Sequence, residues 1–106
     1  MQQEQRRSNR KILMVKALLT MEGAVPVWAR TVDVGGDGVC LMLADAYRPG
    51  ALGMVRFELF HQGKATLMHA RSRVQYCILS NGEFKVGFQF VSVDLAAMAA
   101  LSRFLQ

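Results

Sequence analysis

Apolar and polar residues alternate along most of this chain, and the period of the alternation changes once. Residues 52–60 put Val55, Phe57 and Leu59 on one face, with Arg56 and Glu58 on the other. Phe84, Val86, Phe88 and Phe90 line one face of a later segment. A period of two marks strands lying on a core. Apolar runs over 12–21, 25–32, 39–44 and 65–79 read as strands too, with Pro26 near a strand start, where its missing N–H is tolerable. In 65–79, Ser72, Val74, Tyr76 and Ile78 share one face, opposite Arg71, Arg73 and Gln75.

Turn signals separate these runs: Glu22-Gly23-Ala24, Arg48-Pro49-Gly50, Gln62-Gly63 and Asn81-Gly82. Asn-Gly is the strongest short hairpin signal, because both residues accept a positive φ. The period switches at Asp94. Leu95, Met98, Leu101 and Leu105 recur at helical spacing behind an Asp suited to an N-cap. A helix of this length is marginal alone, so its apolar face must pack on the sheet. The expected fold is all-β: six antiparallel strands closed into a barrel, which removes exposed edges, with a C-terminal helix over residues 95–105.

Composition narrows the class. With 106 residues and 52% hydrophobic content, the chain is long enough for one globular core. Its apolar runs are shorter than the ~20 residues of a membrane-spanning helix. The polar N-terminus lacks the features of a secretory signal, so a cytoplasmic location without membrane insertion is expected. Cys40 and Cys77 read as small buried hydrophobes rather than a disulfide.

The net charge of +5 is concentrated at one end. Residues 1–16 hold Arg6, Arg7, Arg10, Lys11 and Lys16 against Glu4, a local +4. A DNA-binding protein would spread its basic residues over a folded face, so a compact anion fits better. A small RNA-binding barrel is disfavoured because no aromatics accompany the basic segment.

Catalysis is not expected. His61 and His69 have no neighbouring carboxylate, no serine sits in a nucleophile elbow, and no glycine-rich loop carries a phosphate-binding lysine. Cys40, His61, His69 and Cys77 lack the close ligand pairs of a zinc site, and neither metal nor cofactor is expected. Two stretches stand out instead. Arg6-Arg7-Ser8-Asn9-Arg10 holds three arginines, whose planar forks grip phosphate or the O6/N7 edge of guanine. Asp33-Val34-Gly35-Gly36-Asp37-Gly38 reads as a turn between strands, richer in glycine than a bend requires. Its glycines let a ligand approach the backbone, and the Asp33 carboxylate can accept from the guanine N1–H and 2-amino groups.

Arg6-x-x-x-Arg10 followed by Asp33-x-Gly35-x-x-Gly38 resembles the PilZ domain, whose members carry RxxxR and then [D/N]xSxxG on a six-stranded barrel with a C-terminal helix. Val86-Gly87-Phe88-Gln89-Phe90-Val91 is similar to the last strand of that family. The resemblance implies a receptor for cyclic di-GMP that relays binding to an unidentified downstream protein. It implies that Arg6 and Arg10 hold guanine and phosphate, with Arg7 as an auxiliary. Asp33 would contact a guanine, with Gly35 and Gly36 at the ligand and Gly38 permitting the turn. Residues 1–10 would form a flexible basic segment that folds over the nucleotide, and residues 11–106 the barrel. One position departs from the family pattern: the serine is Gly35 here. The alternative is therefore a degenerate PilZ-like interaction module that binds no nucleotide.

Overall fold

The structure, a computed structural model, describes residues 9–106. Its elements in order are β1 (Arg10–Ile12), β2 (Lys16–Met21), β3 (Val27–Gly35), β4 (Gly38–Leu43), β5 (Leu52–His61), β6 (Lys64–Ser80), β7 (Glu83–Ser92) and α1 (Leu95–Leu105). All pairings are antiparallel. β3, β2, β5, β6, β7 and β4 follow one another, and β4 pairs back onto β3, closing a six-stranded barrel. β1 lies on the same edge of β3 as β2, further along. Inward residues from every wall fill the core: Leu19, Val34, Leu41, Val55, Met68, Val74, Val86 and Phe88 are each almost fully buried.

The expected strand over 12–21 is interrupted, and Thr31 explains how. Between β1 and β2 the ladder to β3 breaks, and the fully buried Thr31 side chain fills the gap. Its Oγ1 donates to the Leu13 carbonyl and accepts from the Val15 N–H at 2.9 Å. The Leu13 N–H reaches the Val32 carbonyl at 3.1 Å, and the Thr31 N–H reaches the Val15 carbonyl at 2.8 Å. A break that would orphan buried backbone groups is thereby satisfied.

Two bulges change which way side chains point. In β3 the register against β4 shifts between Thr31 and Asp33, leaving Val32 as the extra residue. Ala29 and Thr31 face inward before it and Val34 after it, so Asp33 turns outward. In β6 the register against β7 shifts between Val74 and Tyr76, with Gln75 extra. Ser72 and Val74 are buried, but Tyr76 and Ile78 are exposed rather than sharing their inward face. A bulge inserts one residue and reverses the alternation beyond it.

The helix begins and ends where its spacing predicts. Asp94 caps it, accepting from the Ala97 N–H at 2.8 Å. Its buried stripe is Ala97, Ala100 and Leu101, packed over β5 and β6, whereas Leu95 is 87% exposed and lies outside that stripe. The far end is tied to β1. Lys11 donates to the Gln106 carbonyl at 3.1 Å, with its ammonium 5.5 Å from the Phe104 ring. No helix among the described residues is long and apolar enough to cross a membrane.

Candidate functional site

Arg10 opens β1, which pairs with β3, and stands opposite Gly35. Its guanidinium reaches the outward carboxylate of Asp33, two residues along β3 from Gly35. Arg10 Nε and Nη2 donate to Asp33 Oδ1 at 3.0 and 2.8 Å. Its Nη1 donates to Asp37 Oδ1 at 3.2 Å, and Nη2 also lies 3.4 Å from the Gly38 carbonyl. The arginine and aspartate singled out in the sequence, 23 positions apart, thus meet directly. Both side chains are about one-third exposed. A pair this accessible contributes about 0–1 kcal/mol to stability, so a competing ligand can displace it at small cost. Arg6 and Arg7 lie outside the described residues.

The glycines act differently from expectation. Only Gly36 and Asp37 form the turn, since Asp33, Val34 and Gly35 end β3 and Gly38 starts β4. The left-handed glycines of the chain are Gly23, Gly50, Gly63 and Gly82, so Gly38 is not there for a positive φ. It is there for contact: a Cβ at this position would stand 2.1 Å from the Phe88 carbonyl oxygen of β7. The turn is also tied to that strand through the Phe90 N–H, which donates to the Asp37 carbonyl at 2.8 Å.

Beside the Arg10–Asp33 pair, a groove of about 180 Å³ runs between β4, β6 and β7, lined in part by Arg10, Asp37, Gly38, Gln75, Tyr76 and Gly87. Gln75 and Tyr76 reach it through the β6 bulge. The Tyr76 ring lies where a Cβ on Gly87 would be, so Gly87 gives the aromatic its seat. The Tyr76 hydroxyl donates to the Cys40 Sγ at 3.6 Å. Burial pushes that hydroxyl up to about 12, and the adjacent thiol adds to the rise. Burial likewise raises Cys40 above the usual thiol range. Tyr76 therefore stays neutral and offers Arg10 an aromatic neighbour rather than a charge. The sequence reading missed Gln75 and Tyr76, because unbroken alternation puts Tyr76 in the core.

The site can hold an anion at Arg10, accept hydrogen bonds at Asp33 and Asp37, and offer the aromatic edge of Tyr76. Among the described residues no group of three or more His, Cys, Asp or Glu gathers to hold a metal ion.

The described residues form a closed barrel with an arginine–aspartate pair on its outer wall. Residues 4–106 match the family model of the PilZ domain, and the chain belongs to that family. A search of curated proteins finds no match. Among solved structures, the chain is similar to the inhibitor of motility from Bacillus subtilis, at 12% identity and a TM-score of 0.86 over 96% of this chain and 50% of that one. It is also similar to YcgR from Escherichia coli in complex with c-di-GMP, at 16% identity and a TM-score of 0.76 over 94% of this chain and 44% of that one. The PilZ domain of CeSA from a cellulose-synthesizing bacterium matches at 17% identity and a TM-score of 0.62, over 92% of this chain and 95% of that one. The chain thus spans about half the length of the first two. At these identities the likeness is one of fold.

Proposed function

We propose that this protein is a cyclic di-GMP receptor that passes ligand binding on to a partner protein. The observation that carries this reading is the meeting of Arg10 with Asp33, beside a groove edged by Gly38 and Tyr76, in a PilZ chain. The relative YcgR has been solved in complex with c-di-GMP, which supports the same ligand here. A nucleotide messenger places the receptor in the cytoplasm. No catalytic step is part of this reading.

Arg10 and Asp33 pair with each other in the structure. A guanine base offers both of them better partners. Its O6/N7 edge accepts from the Arg10 fork, and its N1–H and 2-amino group donate to Asp33. Phosphate oxygens would complete the grip through Arg10, with Arg6 and Arg7 contributing from the preceding segment. The groove is smaller than the roughly 300–1,000 Å³ that encloses a drug-sized ligand, so it takes one base while the rest lies across the barrel wall. Tyr76 borders that base with an aromatic edge.

The departure at Gly35 favours a second reading, an interaction module that has lost the nucleotide. One hydroxyl contributes about 0.5–1.5 kcal/mol, which weakens binding without abolishing it. Calorimetric titration with cyclic di-GMP and with cyclic di-AMP separates the two readings. The receptor binds the guanine dinucleotide far more tightly, because adenine presents a 6-amino donor where guanine has O6. Equal binding of both leaves only a phosphate clamp, and binding of neither establishes the second reading.

A further inference from the structure

At the other end of β3 from Asp33, the barrel wall carries a different surface. Leu18 of β2 stands between Trp28 of β3 and Arg56 of β5, and Glu58 of β5 faces Leu67 of β6. Trp28 is 69% exposed, Phe60 58% and Leu67 56%. These side chains border one open groove of about 450 Å³, which also includes Leu18, Lys16 and Arg56. Single exposed apolar residues are ordinary on any protein surface. Three of them on β3, β5 and β6, with half-buried Leu18 of β2 between, share one groove and form a patch of the kind that marks an interaction site. Trp, Phe and Arg together are also the composition of a protein interface centre.

Charge indicates what covers it. Arg30 and Arg71, elsewhere on these strands, already have carboxylate partners in Glu83 and Glu22. Lys16 and Arg56 have no ion pair among the described residues. The Lys16 ammonium instead rests 5.5 Å from the Trp28 ring centroid. The groove's own carboxylate, Glu58, leaves its lining with a net positive charge. Two cations are too few to hold a nucleic acid backbone or an anionic lipid surface, which bind through many. A concave apolar floor between them suits side chains inserted from a protein.

We infer that this face is a docking groove for an acidic amphipathic segment of a partner protein, with apolar side chains seated among Trp28, Phe60 and Leu67 and carboxylates meeting Lys16 and Arg56. The inference is independent of nucleotide binding, since none of these residues belongs to the Arg10 site.

Trp28 is the chain's only tryptophan, so its fluorescence reports on this groove alone. The probes are two synthetic peptides with the same alternating Leu and Phe residues, one interspersed with Glu and the other with Lys. The acidic peptide should give a saturable blue shift of Trp28 emission, with the basic peptide about tenfold weaker or worse, as complementary charge requires. The double variant Lys16→Glu/Arg56→Glu should reverse that preference, and Leu67→Ser should remove the shift while thermal unfolding stays unchanged. Should Leu67→Ser fail to fold, the charge-reversal variant decides alone. The inference is overturned by no shift with the acidic peptide, or by equal response to both peptides. It is also overturned if the shift follows protein concentration alone, which indicates a second copy, or appears with phosphatidylglycerol vesicles but not with the peptide.

Discussion

The β3–β4 and β6–β7 hairpins both close with two residues, Gly36-Asp37 and Asn81-Gly82, and the two turns are built on different physics. Asn81 and Gly82 have φ of 50° and 80°, the paired positive values of a type I′ turn that matches strand twist. A Cβ on Gly82 would meet nothing within 4 Å. Neither Gly36 nor Asp37 is left-handed. The site turn is instead held by its surroundings: Gly38 lies against β7, Phe90 bonds the Asp37 carbonyl, and Arg10 bonds the Asp37 carboxylate. One turn uses glycine for backbone freedom, the other for closeness. The first serves the fold. The second keeps a backbone and two carboxylates within reach of one arginine.

Alanine at the two glycines separates these roles most strongly. Gly38→Ala sets a methyl against the Phe88 carbonyl, with both strands locked in the sheet. Its cost should reach or exceed the upper end of the roughly 1–3 kcal/mol typical of overpacking. Gly82→Ala should cost only about 1–2 kcal/mol, the strain of a left-handed alanine. Urea denaturation of both variants measures the gap, and equal losses would erase the distinction between the turns.

Arg10→Ala tests whether the tightly held turn exists for a ligand. Two charge-assisted bonds at about 1.5–3 kcal/mol each imply a loss of cyclic di-GMP affinity on the order of 100-fold or more. Calorimetry should show this loss with little change in unfolding, because the exposed Arg10–Asp33 pair contributes little stability. Asp33→Ala should weaken binding less, since one set of guanine donors goes unmatched while the phosphate grip remains. Unchanged affinity would reduce Asp33 to a partner of Arg10.

Smaller effects sharpen the same contrast. Gly35→Ser should tighten binding several-fold, in line with about 0.5–1.5 kcal/mol for one hydrogen bond, and Gly35 has no left-handed φ to oppose it. Weaker binding by a folded Gly35→Ser protein would contradict the role given to this position. The Tyr76 hydroxyl supplies a pH signature. Its folded value near 12 exceeds the ordinary tyrosine value near 10, so its stabilising contribution is complete below about pH 10 and is lost as pH rises toward 12. Phenolate absorbance of the native protein minus that of Tyr76→Phe, in which only Tyr47, itself raised by burial, remains, should isolate this late step. A normal titration would mean that the ring does not occupy its seat over Gly87.

The parts of this molecule that were legible in its sequence follow simple periods. The barrel strands, the Asn81-Gly82 hairpin and the capped helix each repeat a local rule over several residues. That Arg10 and Asp33 lie close together was legible too, because two motifs at a set separation resemble a family's single site, whereas their direct ion pair was not. Single-residue events were hidden. Val32 and Gln75 are ordinary residues, yet as bulges they turn Asp33 and Tyr76 outward and so shape the site. Nothing about Thr31 announces that its hydroxyl replaces a stretch of ladder. The closeness that requires Gly38 depends on Phe88, fifty positions away in sequence. Such features are set by register between strands, which no local window contains.

The Arg10 Nε–H resonance in nitrogen-labelled protein, followed through a titration with cyclic di-GMP, tests the central claim most directly. The account predicts that this resonance moves as Arg10 exchanges Asp33 for the nucleotide, saturating together with the Gly38 and Tyr76 amides while the Trp28 indole stays still. Binding that leaves Arg10 unmoved, or no binding at millimolar nucleotide, would contradict it.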